Sequence, residues 1–392
     1  MKKAAALLTL LLALLALLTA PALAQEAGDL TAACEITVGS RAFTMERLRD
    51  RDYTTAWLGE GSAKTIRITS DEPIHGLYLC FAQEPRSFAV EQRAGGAWQA
   101  VPFTPSRYQH QYIEVPGAYE LRVRPLSGSR AWFQMSELFV FGAGGVPGFV
   151  QRWQEPQEEN DLMVLFAHPD DEALFFGGTI PVYAGQRQLR VVAACLTAPS
   201  PVRRAELLNS LWEMGMKAYP VFGPFQDKHS LKLATAYKNA GETKVKRYVT
   251  DLFRQYRPSV VVTHDTQGEY GHGQHKLCAD SALHAFDAAA RAGDGAFEVS
   301  KLYLHLYPEN RVEMDWDRPL PAFLGRSGFE MAQAGYAMHK TQQHLKQFKV
   351  EPRGSQYSSY LFGLARTRVG ADQAKDDFME HISLDEYIVN AL

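Results

Sequence analysis

The chain has 392 residues, of which 46% are hydrophobic and 22% are charged, and its formal net charge at pH 7 is −3. This length accommodates two domains of ordinary size, and the composition is that of a globular protein. The chain contains no basic stripe, which argues against a nucleic acid partner.

The first 24 residues predict a secretory signal peptide. Lys2 and Lys3 precede an apolar run over Ala4–Ala20, and small residues follow up to Ala24. This is the pattern of a signal peptide that is cleaved after that alanine. The alternative is an uncleaved membrane anchor, but the apolar run is short for a membrane span. We therefore expect an exported protein, secreted or at the cell surface, with no transmembrane span after cleavage.

Residues 30–143 have the pattern of short strands separated by turns. Apolar and polar residues alternate in segments such as Thr65–Ile68, Tyr119–Val123 and Glu137–Phe141. Such spacing is typical of an all-β antiparallel sandwich. A glycine-rich stretch at 142–145 then marks a domain boundary.

Four cysteines are distributed over the chain without any C-x-x-C pair, which disfavours a thiolate zinc site. Export would permit disulfides. Cys34 and Cys80 fall in the same N-terminal region and could pair. The alternative is that Cys34, Cys80, Cys195 and Cys278 are all buried free thiols.

Residues 158–392 have a different rhythm, in which continuous apolar runs alternate with helix-like segments. Runs that are apolar throughout are typical of strands buried on both faces of a sheet. The alternation predicts βαβ units, and hence an α/β, Rossmann-like domain with a mostly parallel sheet. Strands are predicted at 162–167, 189–196, 219–222, 259–263 and 301–306, and helices at Arg203–Met216, Glu242–Tyr256 and Lys276–Ala290.

The first polar cluster, His168-Pro169-Asp170-Asp171-Glu172, directly follows the strand at 162–167. Ligands of α/β sheets bind at this carboxyl edge. A histidine and a carboxylate three residues apart on a turn can face one ion, and catalytic zinc takes three such ligands while keeping a position for water. An aspartate that caps the next helix is the alternative. It accounts for one acid, but not for the histidine and two acids together.

The second polar cluster follows the strand at 259–263 and extends to His275. A histidine from this loop completes a set of three ligands. A free carboxylate beside the metal can then accept the proton of an activated water. His272 and Tyr270 are suited to stabilising the oxyanion and protonating the leaving amine. The His-x-x-His spacing is weak evidence alone, and its weight comes from the first cluster.

The Ala-His-Pro-Asp-Asp-Glu segment with a later Gly-His-x-x-His resembles the PIG-L/LmbE family of zinc-dependent N-deacetylases. The resemblance covers roughly residues 161–392. It implies a zinc-dependent hydrolase that removes acetyl groups from N-acetylated amino sugars. The residues it assigns are the zinc ligands His168, Asp171 and His275 and the general base Asp170. It also implies that His272 is the electrophilic or acid histidine and that Tyr270 is a gating tyrosine that helps to polarise the carbonyl.

One position departs from the pattern of that family. Some members have an aspartate before the last histidine, where it can orient the catalytic histidine, and this chain has Gln274. Another acid would then assist His272 in proton transfer. Asp265 and Glu269 are the candidates, although we expect both to be solvated loop residues.

Further polar residues have weaker assignments. Glu172 is expected to orient a metal ligand from the first turn of a helix. Arg203 and Arg204 could face substrate, but surface solvation is the favoured interpretation. His339 and His344 are candidates for a substrate wall, with core packing favoured for the C-terminal segment around them.

The N-terminal region resembles a discoidin (F5/8 type C) jelly roll, on the segments Leu48–Trp57 and Ser136–Gly142. Such modules commonly bind glycans through loops at one end. The resemblance implies a carbohydrate-binding module. Trp57, Trp98 and Trp132 are candidate contacts, and burial in the core is the alternative for each.

Together these features predict a two-domain exported hydrolase that uses zinc-activated water to deacetylate an N-acetylglucosamine-type glycan or glycoside. One alternative is an amidase that acts on a non-sugar acyl amide. The other is a glycan-binding surface protein whose metal site is structural or inactive.

Overall fold

The computed structural model describes residues 25–39, 42–59, 64–126, 133–293 and 295–384. The predicted signal peptide and Trp132 lie outside these residues. Among the described residues, no helix combines the length and the hydropathy needed to cross a bilayer.

The N-terminal region forms one seven-stranded sheet in which every pairing is antiparallel. The strands run in the order β2-β7-β3-β6-β4-β5, and β1 also pairs with β3. Their bounds are β1 Glu35–Val38, β2 Trp57–Leu58, β3 Ile66–Phe81, β4 Phe88–Ala94, β5 Ala97–Ala100, β6 His110–Pro125 and β7 Gln134–Phe141.

Strands β3 and β6 shape this sheet because each has 16 residues and their pairing shifts register between Thr69 and Gly76. Such irregularities bend a sheet. Apolar side chains from both halves of these strands, including Ile68 and Leu77, lie in one core cluster with Trp57. The antiparallel pairing accounts for the alternating sequence pattern, while the jelly-roll assignment and the domain bounds stay predictions.

The second sheet has the strand order β10-β9-β8-β11-β12-β14-β13. The first five strands of this order pair in parallel, and β14 is antiparallel to both of its neighbours. Their bounds are β8 Asn160–Phe166, β9 Val191–Thr197, β10 Val221–Phe225, β11 Pro258–Thr263, β12 Lys301–His305, β13 Arg311–Glu313 and β14 Leu361–Thr367.

Helices cover both faces of this sheet. Side chains of a strand point alternately to opposite faces, and in β8 Leu162 packs in one core cluster while Met163 packs in another. The helices are α1 Asp171–Leu174, α2 Pro201–Glu213, α3 Leu233–Ala240, α4 Glu242–Tyr256, α5 Gly273–Ala289 and α6 Gly328–Ala337. Further helical turns lie at Pro181–Gln186, Pro321–Phe323 and Lys340–Gln342, and at Ala42–Leu48 in the N-terminal region.

The chain order places a topological switch between β8 and β11. From β8 the chain builds outward through β9 and β10, and it then returns to add β11 and β12 on the other side. At such a switch the loops that follow the strands separate and leave a crevice. His168 follows β8 and His264 follows β11, so both loops open at this crevice.

The cysteines and two of the candidate tryptophans lie within the described residues. All four cysteines are buried free thiols, so the Cys34–Cys80 pair is not formed. Trp57 is fully buried in the N-terminal core, whereas Trp98 is partly exposed and lies against the Arg122 guanidinium, 4.3 Å from the ring centroid.

Candidate metal centre

The turn after β8 is held by its own side chains. The backbone N–H of His168 donates to Asp171 Oδ2 at 2.8 Å, which closes the turn immediately before α1. Asp170, inside this turn, has a φ of 112°. Left-handed backbone is unfavourable for a residue other than glycine and persists only where the surroundings enforce it. The turn therefore orients the Asp170 carboxylate differently from the way an unstrained backbone, with negative φ, would orient it.

The second loop delivers its histidines from the start of α5. His272 is the N-cap of this helix, and its Nδ1 accepts a hydrogen bond from the backbone N–H of Gln274 at 3.3 Å. Capping of this kind satisfies a backbone donor that the helix leaves free. His275 lies in the first turn and is fully buried.

The structure brings the three predicted ligands together. His168 Nδ1 is 3.2 Å from Asp171 Oδ2, and His275 Nε2 is 3.4 Å from Asp171 Oδ1. All three residues are buried. Two groups of three residues have ligand atoms close enough together to bind one ion. The first group is His168, His272 and His275, and the second is Asp171, His264 and His275.

Hydrogen bonding distinguishes the histidines of these groups. His275 Nδ1 faces Glu269 Oε2 at 2.6 Å, and a carboxylate oxygen only accepts, so Nδ1 carries the proton. Its Nε2 is buried with no hydrogen-bond partner among the described residues. An unpartnered imidazole nitrogen close to a carboxylate, with the ring proton on the other nitrogen, is what a metal ligand requires.

His264 and His272 do not meet this requirement. His264 Nε2 accepts the backbone N–H of Ala167 at 3.1 Å, so its lone pair is already used. His272 uses its Nδ1 lone pair for the N-cap, which leaves Nε2 as an N–H donor. Burial and the neighbouring imidazoles of His168 and His275 lower the pKa of His272 to about 3, which agrees with a neutral ring.

His168 faces acceptors with both ring nitrogens. Its Nε2 is 2.9 Å from Gln274 Oε1 and 3.5 Å from Asp227 Oδ1, while its Nδ1 faces Asp171. Burial alone would lower the pKa of His168, but the carboxylates of Asp171 and Asp227 outweigh it and raise that pKa well above its ordinary value. Metal binding would release a proton from this ring, as ligation by histidine generally requires.

Gln274 contacts a different histidine from the one expected. Its side-chain oxygen accepts from His168, and its amide nitrogen donates to the Gln226 carbonyl at 3.0 Å. Only the backbone of Gln274 reaches the His272 ring. The glutamine therefore connects His168 to the loop after β10.

Asp170 lies beside the ligand cluster with its carboxylate against Arg203. The Arg203 Nη2 atom is 3.2 Å from Asp170 Oδ2 and also donates to the Pro169 carbonyl. The expectation that Arg203 is solvated at the surface was wrong, because its side chain is only 21% exposed and packs on the first polar cluster. Burial and the adjacent Asp171 carboxylate raise the pKa of Asp170 to about 7, against the opposing charges of Arg203 and His339.

Glu172 supports Asp170 and does not touch a predicted ligand. Its Oε2 accepts the backbone N–H of Asp170 at 2.8 Å, and its Oε1 accepts from Ser210 Oγ at 2.7 Å and faces His339 Nε2 at 2.6 Å. Glu172 and His339 are both fully buried. The expected contact of Glu172 with a metal ligand is therefore replaced by a contact with the backbone of the candidate base.

Tyr270 lies at the mouth of the crevice. It is 38% exposed, and its ring packs 5.4 Å from that of His275 and 5.8 Å from that of His272. Burial and the nearby carboxylates of Asp171 and Asp170 raise the pKa of Tyr270, so the hydroxyl keeps its proton. The hydroxyl is therefore available as a donor near the ligand cluster.

Sequence reasoning missed two residues of this site and misjudged a third. Glu269 was expected to be solvated, but its side chain is fully buried among His264, His275 and His305. His264 and His305 were not assigned a role. Both stand at the carboxyl end of a parallel strand, β11 and β12, so the rule that located His168 could have found them.

Comparison with known proteins places this cluster in a recognised sequence segment. Residues 163–286 match the family model described as "PIG-L: GlcNAc-PI de-N-acetylase". The segment includes the predicted ligands, the candidate base and Glu269, and it ends before His305 and His339.

Two curated relatives illustrate the likeness. A 1D-myo-inositol 2-acetamido-2-deoxy-alpha-D-glucopyranoside deacetylase of Rhodococcus jostii (strain RHA1) is 31% identical over 179 residues, which cover 37% of this chain and 61% of the relative. A protein of Schizosaccharomyces pombe (strain 972 / ATCC 24843), named "Probable N-acetylglucosaminyl-phosphatidylinositol de-N-acetylase", is 27% identical over 137 residues, covering 33% of this chain and 53% of the relative. The chain spans 58% to 61% of the first three curated relatives it matches.

Solved structures give weaker likenesses. The N,N'-diacetylchitobiose deacetylase from Pyrococcus horikoshii is 16% identical, with 47% of this chain and 70% of that chain covered and a TM-score of 0.36. The conserved protein TT1542 from Thermus thermophilus is 21% identical, with 47% and 81% covered and a TM-score of 0.37. At these scores, neither structure establishes the fold or the activity of this chain.

Proposed function

We propose that this protein is a metal-dependent N-deacetylase that hydrolyses the acetamido group of an N-acetylglucosamine-type glycan or glycoside. The observation that carries the proposal is His275 Nε2, which is buried, has no hydrogen-bond partner among the described residues and lies 3.4 Å from Asp171 Oδ1. The segment around it matches a de-N-acetylase family model, and the relatives named above are deacetylases of N-acetylated amino sugars.

The donor set fits zinc. His168, Asp171 and His275 would hold the ion, and two imidazoles with one carboxylate form a known type of catalytic zinc site. Bound zinc supplies Lewis-acid chemistry, in that it lowers the pKa of a water molecule to about 7 and polarises a carbonyl.

Asp170 is the residue placed to move the proton of that water. It is adjacent in sequence to Asp171, and its carboxylate contacts Arg203 and none of the predicted ligands. The enforced backbone at Asp170 and the support from Glu172 hold the carboxylate in place. After accepting a proton from water, Asp170 can donate it to the leaving amine, because a carboxylate that acts as general base in one step can act as general acid in the next.

His272 and Tyr270 are placed to stabilise charge on the acetyl oxygen. The N-cap leaves His272 with an Nε2–H donor, and Tyr270 keeps its hydroxyl proton. Neutral donors aimed at a developing oxyanion accelerate acyl transfer. Because Gln274 does not contact the ring of His272 through its side chain, we assign His272 to oxyanion stabilisation and assign amine protonation to Asp170.

The same proposal extends to location and to the N-terminal sheet. The predicted signal peptide supports export, either to the medium or to the cell surface. The discoidin-like pattern and the partly exposed Trp98 support a carbohydrate-binding role for the N-terminal region.

The decisive experiment is acetate release by the purified protein from N-acetylglucosamine, chitooligosaccharides and N-acetylglucosaminides, with N-acyl peptides as competitors of another class. We expect zinc-dependent acetate release from at least one sugar and none from the peptides. Release from peptides alone would favour the amidase alternative. Bound zinc without release from any amide would favour a structural metal site in a glycan-binding protein.

A further inference from the structure

Glu269 joins three imidazoles from different parts of the fold, namely His264 directly after β11, His275 in helix α5 and His305 at the end of β12. Its Oε2 faces His275 Nδ1 at 2.6 Å, and its Oε1 faces His264 Nδ1 at 3.2 Å and His305 Nδ1 at 3.0 Å. The backbone N–H of Asp265 also donates to Oε1, at 3.0 Å. The side chains of Glu269 and of the three histidines are all fully buried.

The Nε2 atoms of His264 and His305 have hydrogen-bond partners other than Glu269. His264 Nε2 accepts the Ala167 N–H, and His305 Nε2 faces the Ser358 carbonyl oxygen at 3.0 Å. Of these three rings, only His275 has a nitrogen without a hydrogen-bond partner, and that nitrogen lies 3.4 Å from Asp171 Oδ1. The hydrogen-bond pattern around Glu269 thus leaves one imidazole lone pair free at the ligand cluster.

The backbone at Glu269 adds an independent observation. Its φ is 54°, in the left-handed region that favours glycine. A glutamate there is strained, because left-handed backbone is unfavourable for a residue that carries a side chain. The chain holds that side chain inside the site despite the strain.

We infer that Glu269 is a positioning residue that holds His275 in the Nδ1–H tautomer and so makes its Nε2 available to a metal ion. This inference rests on the proposed function, because it presupposes that His275 binds the metal. Carboxylates that accept from the far nitrogen of a histidine ligand typically fix its tautomer and orientation.

The isosteric variant Glu269→Gln tests the role of the charge without changing the shape. Three donors meet at Oε1, from His264, His305 and Asp265, so the amide oxygen must take that position. The amide nitrogen then replaces Oε2 and donates to His275 Nδ1. This moves the ring proton to Nε2, where it hydrogen-bonds to Asp171 and blocks metal binding.

Zinc affinity, measured by competition with a chromophoric chelator, should fall about 10- to 100-fold in Glu269→Gln. The visible absorption spectrum of the cobalt(II)-substituted protein should also change, because it reports on the donor set. The matched control is Glu206→Gln, the same change at a fully buried glutamate that accepts from Thr341 and does not contact a predicted ligand. We expect this control to lower the melting temperature while leaving zinc affinity close to that of the wild type. Equal losses of zinc affinity in both variants would show general loosening of the site and would overturn the inference.

Nitrogen-15 NMR of the metal-free wild-type protein supplies a readout that does not depend on any variant folding. We expect His275 to carry its proton on Nδ1 and none on Nε2. A protonated Nε2 would overturn the role of Glu269, whatever the activity. The protein could instead show the expected tautomer and zinc affinities but deacetylate no sugar. That result would support the role of Glu269 and refute the proposed function.

Discussion

The two sheets of this protein bury polar groups in contrasting ways. The N-terminal sheet buries a neutral pair, in which Tyr78 OH and His110 Nδ1 are 2.6 Å apart and the backbone N–H of Gln151 donates to the same hydroxyl at 3.2 Å. The carboxyl edge of the second sheet buries a network of imidazoles and carboxylates, including Asp171 and Glu269.

The difference shows what each arrangement supports. A buried neutral pair needs only its own hydrogen bonds to be satisfied. Buried charges are costly and break even only when they are paired and fully hydrogen-bonded. The network at the second sheet still leaves His275 Nε2 unsatisfied. We therefore expect changes in the two regions to separate into effects on activity and effects on stability.

The largest expected effect comes from His275→Ala, which removes the one free imidazole lone pair of the cluster. Both zinc binding and acetate release should fall to background, as measured by metal analysis and by the deacetylation assay. His284→Ala, an exposed histidine on the same helix α5, is the matched control and should retain both. Retention of zinc by His275→Ala would show that the ligand set is wrong.

Asp170→Asn should separate metal binding from turnover. Because the carboxylate contacts no predicted ligand, zinc content should stay at the wild-type level. The loss of proton transfer should lower kcat by about 10²- to 10⁴-fold. Full activity in this variant would refute the assignment of Asp170 as the base.

Glu172→Gln tests the support beneath the base. Each oxygen of Glu172 accepts at least one hydrogen bond. In the glutamine variant, the side-chain amide nitrogen is a donor, so it must face either the Asp170 N–H or the donors of Ser210 and His339 without forming a hydrogen bond. We expect the free energy of unfolding to fall by about 1–3 kcal/mol, and kcat to fall while zinc affinity is retained.

Glu206→Gln is the control for that variant. Glu206 is equally buried and accepts from Thr341 N and Oγ1 at 2.6 and 2.7 Å, but it does not contact the Asp170 backbone. It should lose stability in urea unfolding with a smaller effect on kcat. If Glu172→Gln and Glu206→Gln lost kcat equally, the loss in Glu172→Gln would be due to lower stability and not to the position of Asp170.

The smallest expected effect on activity belongs to the N-terminal sheet, where the change appears as a pH dependence of stability. Burial lowers the pKa of His110 to about 3. The stability it contributes is complete above the unfolded pKa near 6.5 and is lost as pH falls through that value towards 3.

Urea unfolding should show this loss as about 2 kcal/mol between pH 7 and pH 5, at 1.36 kcal/mol per pKa unit. His110→Asn keeps an acceptor for Tyr78 but does not titrate in this range. It should therefore show a weaker dependence on pH, with deacetylase activity unchanged at pH 7. Identical pH slopes in the two proteins would contradict the buried neutral histidine.

The sequence predicted those strands and helices whose hydrophobic pattern is complete within one segment of the chain. The strands at 162–167 and 259–263 correspond to β8 and β11, and the helix at Glu242–Tyr256 has the bounds of α4. Continuous apolar runs and amphipathic spacing are read within one segment, so these elements needed no tertiary information. Helix α3 and strands β13 and β14 were missed because their short segments carry no comparable period.

The candidate site divides in the same way. His168, Asp170 and Asp171 share one turn, and their spacing alone indicated a metal site. The partners of His305 and His339 are 36 and 167 residues distant along the chain, and only the folded sheet brings them together. Glu269 looked like a loop acid because nothing in the local sequence shows that three histidines enclose it.

The left-handed backbone of Asp170 has a practical consequence for protein engineering. A screen for heat resistance would favour Asp170→Gly, because glycine adopts a φ of 112° freely and relieves strain of about 1–3 kcal/mol. That variant would also lack the carboxylate, so a more robust protein would emerge without its turnover. Selection for stability and selection for catalysis thus act in opposite directions on this single residue.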